Sequence, residues 1–333
     1  MKIFITGIAG FLGSHLATRM LELGHTVEGN DNLIGGYVDN VPSGAVLHQV
    51  DCCDLDLLTE AMGNDVDIVY HTAATAHEGL SVFSPNMITK NVFQASVSTI
   101  TAAINSNAKR FVYCSSMARY GNQPGPFTED MKTSGIDPYG VAKIAGEEIL
   151  KILAPMNNME WVIAVPHNII GPGQNYEDPY RNVLSIMINR ILNGLPPIVY
   201  GDGTQVRCFS YIDDCIYCLE KLAFDDVAGE IFNIGPDEEF VTINELAAKV
   251  LKHTNSSLEP IFYPARPTEA KIAVCSSNKS KRLLRYRTNT SLDHAIKESI
   301  KFIIKKGPKP FNYKFDLEIL TDQTPVTWKD KLI

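Results

Sequence analysis

The sequence predicts an α/β fold in which a doubly wound parallel sheet is followed by a smaller α/β domain. In the first half, short apolar runs alternate with segments of helical spacing, and this rhythm implies parallel strands joined by helical crossovers. The apolar runs lack strict alternation with polar residues, as is typical of strands buried on both faces. Past about residue 166 the rhythm loosens and Pro and Gly cluster. We therefore expect a sheet domain over 1–166 and a second domain mainly over 167–306.

The individual elements follow from apolar periodicity and from turn residues. The strands expected in the first domain are 2–6, 25–30, 46–50, 66–71, 111–114 and 161–166. The expected helices are 11–24, 88–106, 138–154, 181–193, 212–224, 242–252 and 291–305. Part of 205–235 is expected to return to the first domain. The tail, 307–333, is rich in aromatic residues, and it either packs on its own domain or adds an oligomer contact.

Composition narrows the class of protein. The chain has 333 residues, 45% of them hydrophobic, and a formal net charge of −8, which disfavours nucleic acid and anionic membranes as main partners. No apolar run reaches spanning length and no signal peptide is evident, so we expect a cytoplasmic protein. Most of the seven cysteines lie in apolar surroundings, as is typical of reduced core thiols. Cys215 and Cys218 form a CxxC without a second ligand pair, so no metal site is predicted.

Three glycines follow the first predicted strand in the segment FITGIAGFLGSHL. Gly7, Gly10 and Gly13 suit a tight turn, a close approach of a pyrophosphate and close helix–strand packing. Phe11 and Leu12 begin the following helix, whose N-terminus offers N–H groups and the positive end of its dipole to phosphate. The spacing in this position predicts a dinucleotide site.

Two carboxylates follow the second and third strands. Asp31 can accept hydrogen bonds from the adenosine ribose, and it would repel a 2′-phosphate, which favours NAD over NADP. Asp51 is either an adenine contact or an ordinary residue at a strand end. Their neighbours Asn32 and Cys52 are assigned to the same cofactor site.

Tyr139 and Lys143 are four residues apart near a predicted helix start, so they share one face. A neighbouring ammonium and a positively charged nicotinamide can stabilise a phenolate, which then takes a proton from a sugar hydroxyl. Ser116 lies 23 residues earlier, at the carboxyl end of a strand, and can hydrogen-bond the same oxygen. A second YxxxK, Tyr217 and Lys221, has no such support.

These motifs resemble the extended short-chain dehydrogenase/reductase family, with its Rossmann-type domain, and especially nucleotide-sugar epimerases of the UDP-galactose 4-epimerase type. The resemblance covers about residues 1–285. The segments that carry it are TGIAGFLGSH, DNL, HTAA, SSMARYG, PYGVAK, PHNIIGPGQ, YGDGTQVRCFSYIDD, FNIG and ARPTE.

The resemblance implies a role for each matching residue. It assigns Ser116, Tyr139 and Lys143 to catalysis and contact with the sugar. It assigns NAD binding to Gly7, Gly10, Phe11, Leu12, Gly13, Asp31, Asn32, Asp51, Cys52, Ala73, Ala74 and Lys143. It assigns the diphosphate to Asn168, Arg207 and Arg266, the uridine ribose to Glu269, and a gate beside the sugar 2-position to Ala273. The planar guanidinium groups suit a diphosphate on chemical grounds as well.

The departures from the family narrow the reaction. Met117 and Ala118 stand where related dehydratases carry an acidic pair, and neither exchanges protons. The resemblance therefore implies an NAD-dependent UDP-sugar 4-epimerase that passes through a transient 4-keto sugar. Its substrates would be UDP-glucose and UDP-galactose, or their N-acetylhexosamine counterparts, which the small Ala273 would admit. Arg119 stands where the family has an apolar residue, and the sequence offers no reason for it.

Several alternatives remain open at this point. On the same scaffold they are a dehydratase, a UDP-glucuronate epimerase and a keto-sugar reductase. From another class, the alternative is a non-catalytic NAD-binding protein. The family also implies a homodimer formed through the helices 88–106 and 138–154.

Overall fold

Seven parallel strands form the central sheet of the computed structural model, which describes residues 1–333. The strands of the whole chain are β1 (Lys2–Thr6), β2 (Thr26–Asn30), β3 (Val46–His48), β4 (Ile68–His71), β5 (Arg110–Cys114), β6 (Glu160–Pro166), β7 (Ile169–Ile170), β8 (Ile198–Tyr200), β9 (Val206–Arg207), β10 (Ser210–Tyr211), β11 (Ile231–Ile234), β12 (Val241–Thr242), β13 (Ile261–Tyr263) and β14 (Ile272–Ala273). The central sheet has the order β3-β2-β1-β4-β5-β6-β11, which is the doubly wound order with one strand added.

Helices cover both faces of this sheet. They are α1 (Phe11–Glu22), α2 (Leu55–Met62), α3 (Glu78–Ser81), α4 (Pro85–Thr89), α5 (Ala95–Asn105), α6 (Pro138–Met156), α7 (Val183–Leu192), α8 (Ile212–Phe224), α9 (Ile243–His253), α10 (Asn278–Leu283), α11 (Leu292–Lys306) and α12 (Val326–Lys329). Alternate residues of β1 enter opposite cores: Ile3 and Ile5 pack with α1 and α8, and Phe4 packs with α2, α5 and α6. Burial on both faces explains the unbroken apolar strands.

The expected elements of the first domain are present, with one notable difference. The helix expected over 88–106 begins earlier, at Pro85, and contains a wide π-helical turn, Lys90–Gln94, between α4 and α5. Such a turn inserts one residue into the helical repeat, so apolar spacing does not reveal it. The strand expected over 46–50 ends at His48.

The second domain packs α7, α9 and α11 around a separate core. Thr242 and Glu245 form the capping box that their spacing predicts, and Ser291 caps α11. This part of the chain also contains the small sheets β12-β9-β14 and β13-β8. The chain returns to the first domain through α8 and β11, so the two domains are connected more than once.

All seven cysteines are free. Cys215 and Cys218 lie on the buried face of α8 and belong to the core. No helix in the structure combines the length and the apolar composition that crossing a membrane requires.

The tail packs across both domains. The Trp328 ring contacts Phe83 of the first domain and Tyr180 of the second edge-on, at centroid distances of 6.0 and 5.3 Å. The Glu318 carboxylate accepts hydrogen bonds from the backbone N–H groups of Asn86 and Met87, each at 2.9 Å. The tail therefore ties the start of α4 to the second domain.

Replacement of Trp328 tests this packing. The side chain is 2% exposed, so Trp328→Ala is expected to cost about 3–5 kcal/mol of unfolding free energy. Urea and thermal unfolding would measure the loss, with Phe262→Ala, which removes an exposed ring, as the control. Equal stability of the two variants would mean that the tail is not part of the packed structure.

Candidate active site

A single cleft runs along the carboxyl edge of the sheet, between the two domains. It is lined by all of the residues that the sequence assigns to a site: Gly7, Gly10, Phe11, Leu12, Gly13, Asp31, Asn32, Asp51, Cys52, Ala73, Ala74, Ser116, Tyr139, Lys143, Asn168, Arg207, Arg266, Glu269 and Ala273. The second YxxxK pair lies on α8, outside this lining. The fold thus gathers the predicted residues, whose individual roles remain predictions.

The glycine loop is packed so tightly that side chains do not fit. Gly7 has φ +72°, and a Cβ there would lie 2.9 Å from the Cα of Ala73. A Cβ on Gly13 would lie 2.2 Å from the Gly7 carbonyl oxygen. Helix α1 begins at Phe11 without a side-chain cap, so the N–H groups of its first turn have no intrahelical acceptor. These groups can receive phosphate oxygens.

The two strand-end carboxylates lie beside this loop. Asp31 accepts hydrogen bonds from the backbone N–H groups of Ala9 at 3.1 Å and Leu33 at 2.8 Å. Burial raises the pKa of Asp31, although these hydrogen bonds act to lower it. Burial also acts to raise the pKa of Asp51, but hydrogen bonds from Cys53 and Asn32 outweigh it and lower that pKa. Each carboxylate keeps lone pairs for a ribose or adenine group.

The triad comes from two adjacent segments. Ser116 follows β5, and its hydroxyl accepts the N–H of Ala118 at 3.2 Å, so it caps the next turn as well as lining the cleft. Asp137 caps α6 by accepting the Gly140 N–H at 2.7 Å. The first turns of α6 then carry Tyr139 into the cleft, where it is 4% exposed.

The electrostatics of the triad differ from the sequence argument in one respect. Lys143 donates to the carbonyl oxygen of Cys114 at 2.7 Å, and burial lowers the pKa of its ammonium to about 8. Burial and the charge of Glu78 raise the pKa of Tyr139, while Ser116 opposes the rise. The ammonium that the sequence argument placed beside the phenol thus makes its hydrogen bond to a backbone carbonyl group. The second source of positive charge in that argument is the nicotinamide.

Arg119, which the sequence left without an explanation, forms a buried ion pair. Its guanidinium lies 2.8 Å from the carboxylate of Glu147 on α6, and the two side chains are 2% and 0% exposed. Ser115 donates a hydrogen bond to the same carboxylate, and Arg119 contacts the hydroxyl of Tyr120 at 3.2 Å. Glu147 is one helical turn beyond Lys143. The pair thus fixes α6 against the turn that carries Ser116.

The second domain contributes two arginines at the other end of the cleft. Glu269 lies between Arg207, at 3.5 Å, and Arg266, at 3.2 Å. The Arg266 guanidinium also stacks on the Tyr200 ring, 4.7 Å from its centroid, and lies 5.9 Å from that of Trp328. Stacking and pairing hold Arg266 in place, and pairing with Glu269 orients Arg207, as a diphosphate clamp requires. Glu269 thus pairs with the arginines in addition to any contact with a ribose.

Asn168 and Ala273 lie near these arginines. The amide group of Asn168 donates to the Cys208 carbonyl oxygen at 3.0 Å, and the same nitrogen contacts the Met117 sulfur at 3.9 Å. Ala273, on β14, is the register partner of Arg207 on β9. The small side chain therefore borders the cleft beside an arginine.

The structure adds lining residues that the sequence reasoning missed. Glu78 and Arg181 are charged groups in the cleft, and Phe315 belongs to the tail. Glu78 could have been suspected, because it follows a buried strand at the carboxyl edge of the sheet. Phe315 could not, because its place depends on how the tail folds back. No group of three metal-ligating side chains occurs in the structure.

The fold and the cleft define a nucleotide-cofactor enzyme of the epimerase and dehydratase class. Residues 3–235 match the model of the NAD dependent epimerase/dehydratase family, and the chain belongs to this family. NAD is therefore its cofactor.

Three comparisons illustrate the relationship. The UDP-glucose 4-epimerase of Mycolicibacterium smegmatis is 28% identical over 317 residues, which cover 92% of this chain and 100% of that protein. A structure of UDP-glucose 4-epimerase with UDP-glucose from Thermotoga maritima superposes with a TM-score of 0.85 at 28% identity, covering 92% of this chain and 99% of that one. A structure of UDP-glucuronic acid 4-epimerase from Bacillus cereus, with UDP-glucuronic acid and NAD, superposes with a TM-score of 0.84 at 28% identity. The match covers 92% of this chain and 100% of that one.

The residues present fit NAD. The uncapped start of α1 and the close approach of Gly7 to Ala73 leave backbone N–H groups at the edge of the cleft for a pyrophosphate. Asp31 is 7% exposed and suits ribose hydroxyls, while its charge disfavours a 2′-phosphate.

Substitution in the glycine loop is expected to remove NAD. In Gly13→Ala the new methyl group would displace the Gly7 carbonyl and distort the phosphate turn. NAD released from the denatured, purified protein and counted against protein concentration measures the loss. Thr18→Ala, an exposed change on the same helix, serves as the control. Full NAD content in both variants would contradict this use of the loop.

The buried ion pair gives a stability prediction. Arg119→Met removes the close partner of the buried Glu147 carboxylate and leaves only the longer ionic contact with Lys151, at 3.8 Å, so it is expected to cost about 3 kcal/mol of unfolding free energy. The double variant Arg119→Met/Glu147→Met removes both charges and should recover most of the loss. Chemical denaturation of the two variants measures the difference. If the double variant were less stable than Arg119→Met, the pair would not be the source of the effect.

Proposed function

We propose that the chain is an NAD-dependent UDP-sugar 4-epimerase. The observation that carries the proposal is the arrangement along one cleft. A serine, tyrosine and lysine triad stands at its centre, with the glycine loop at one end and two ordered arginines at the other. This order matches a cofactor, a sugar ring and a nucleotide diphosphate laid end to end.

In this proposal each residue handles one part of the substrate. Arg207 and Arg266 bind the diphosphate through planar N–H donors. Ser116 hydrogen-bonds the 4-hydroxyl oxygen, and Tyr139 takes its proton as general base and later returns it. Bound at the glycine loop, NAD would supply hydride-transfer chemistry at carbon 4 of the sugar. Lys143, fixed by the Cys114 carbonyl, adds positive charge beside the phenol.

The sugar must turn over between the two hydride steps, so the diphosphate needs an anchor independent of the ring. The arginines supply it, because Tyr200, Trp328 and Glu269 hold Arg266 in place and Glu269 also pairs with Arg207. The same anchoring keeps the reactive 4-keto sugar in the cleft.

The side chains beside Ser116 support epimerisation over loss of water. Met117 and Ala118 follow it directly, and neither side chain carries a titratable group. A reductase would consume external cofactor, whereas an epimerase regenerates its own. Ala273 leaves room next to Arg207, which supports acceptance of N-acetylhexosamines as well as plain hexoses.

We also propose that the enzyme is a cytoplasmic homodimer. Helix α6 exposes Val141, Ile152 and Met156, with relative exposures of 55%, 56% and 74%. These positions are spaced to lie along one side of the helix, and an apolar stripe of this kind supports pairing with a second copy.

Proton NMR of the purified protein tests the reaction. With UDP-glucose or UDP-N-acetylglucosamine and no added cofactor, we expect an axial 4-hydroxyl product that forms to equilibrium. Tyr139→Phe should lose about 2–4 orders of magnitude in turnover, because general-base catalysis is removed, and should still bind UDP. Tyr217→Phe alters the second YxxxK, on the exposed side of α8, and should keep full activity.

Other outcomes would redirect the assignment. Normal turnover by Tyr139→Phe would contradict the proposed base. Bound NAD with no change in either sugar would contradict the substrate class and leave the family intact. The preferred donor in the same spectra tests the argument from Ala273.

A further inference from the structure

Glu78 is a carboxylate in the reaction cleft to which the proposed reaction gives no role. It is the first residue of α3, in the loop after β4, and its side chain is exposed to the cleft. Its Oε1 lies 3.5 Å from the hydroxyl oxygen of Ser116, and its charge acts on Tyr139. On its other side it is influenced by Arg207 and Arg266. Glu78 therefore lies between the triad and the diphosphate clamp, along the part of the cleft that the sugar must occupy.

No cation pairs with this carboxylate. Both arginines of the clamp form their ion pairs with Glu269. Asp137, a second acid nearby, is used as the cap of α6. A carboxylate has about four lone-pair sites, and the single long contact with Ser116 leaves nearly all of them free. The free lone-pair sites of Glu78 are therefore available to a sugar in this part of the cleft.

We propose that Glu78 is a specificity-determining residue that accepts hydrogen bonds from an uncharged sugar and rejects a sugar with a carboxylate at carbon 6. The inference rests on the proposed UDP-sugar function. Hexose hydroxyls and an N-acetyl N–H are donors, so they match a free carboxylate. A hexuronate would bring a second negative charge to the same small space, where like charges repel.

The surroundings of Glu78 strengthen this discrimination. Desolvation by the surrounding protein raises the pKa of Glu78, and the negative charge of Asp137 raises it further. Desolvation and repulsion by these charges would likewise disfavour a sugar carboxylate beside Glu78. Arg207 and Arg266 act to lower the pKa of Glu78, and Arg181 also lines the cleft, so these cations partly offset the repulsion. Binding measurements on the unaltered enzyme include their contribution.

Binding of three ligands to the NAD-loaded enzyme tests the proposal, and each dissociation constant is that of the sugar together with any epimer formed during the titration. The ligands are UDP, UDP-glucose and UDP-glucuronate, titrated by calorimetry. For the unaltered enzyme we expect UDP-glucuronate to bind at least about tenfold more weakly than UDP-glucose. Glu78→Gln keeps the size of the side chain and removes its charge. It should narrow that ratio by about tenfold, through weaker UDP-glucose and tighter UDP-glucuronate binding, with UDP unchanged.

Glu269→Gln is the matched control, because it removes a carboxylate from the arginine end of the same cleft. It should change all three dissociation constants by a shared factor. The proposal is overturned if the unaltered enzyme binds both sugars equally well, or if Glu78→Gln shifts both by one factor. It is also overturned if NMR shows a product that has lost water in a Glu78-dependent way, since Glu78 would then move protons.

The two proposals fail separately. If no UDP-sugar is epimerised but the unaltered enzyme and Glu78→Gln show the expected binding ratios, the reaction is wrong and the role of Glu78 stands. If epimerisation occurs and the ratios do not differ, the reaction stands and the role of Glu78 is wrong. Thermal unfolding of Glu78→Gln checks that it folds, and the ratio in the unaltered enzyme needs no variant.

Discussion

The parallel direction of all seven strands is the constraint on which the site depends. Because every strand runs the same way, every carboxyl end reaches the same edge of the sheet. The residues that follow five different strands therefore meet along one line. They are the glycine loop after β1, Asp31 after β2, Asp51 after β3, Ala73 after β4 and Ser116 after β5. No single strand is long enough to place all of these residues along the cleft.

Within that frame, a buried ion pair sets the position of the reacting groups. Arg119 and Glu147 join the turn that carries Ser116 to the helix that carries Tyr139 and Lys143. A desolvated pair of this kind contributes little net stability compared with apolar residues, but losing one partner is costly. Its value here is geometric, because it keeps two separately folded segments in one arrangement.

Charge along the cleft then divides it into regions. The arginine end is positive and held rigid by stacking on Tyr200 and Trp328, while the centre carries the free carboxylate of Glu78. A UDP-sugar has the complementary order, with an anionic diphosphate followed by a ring of neutral donors. The tail takes part in this arrangement, because Trp328 contacts both Arg266 and the domain that carries Glu78.

The sequence by itself determined the fold class, the alternation of strands and helices, the glycine loop and a set of residues that line the cleft. These features depend on short-range signals, such as apolar periodicity, caps and motifs that recur because local geometry requires them. Tertiary structure decided the partner of Arg119, the carbonyl contact of Lys143, the lack of a cation partner for Glu78 and the path of the tail. Each of these depends on which residues, distant in the sequence, come into contact in the fold and on how deeply they are buried. The charge and hydrogen bonding of a buried group are set by neighbours far along the chain, which no local pattern encodes.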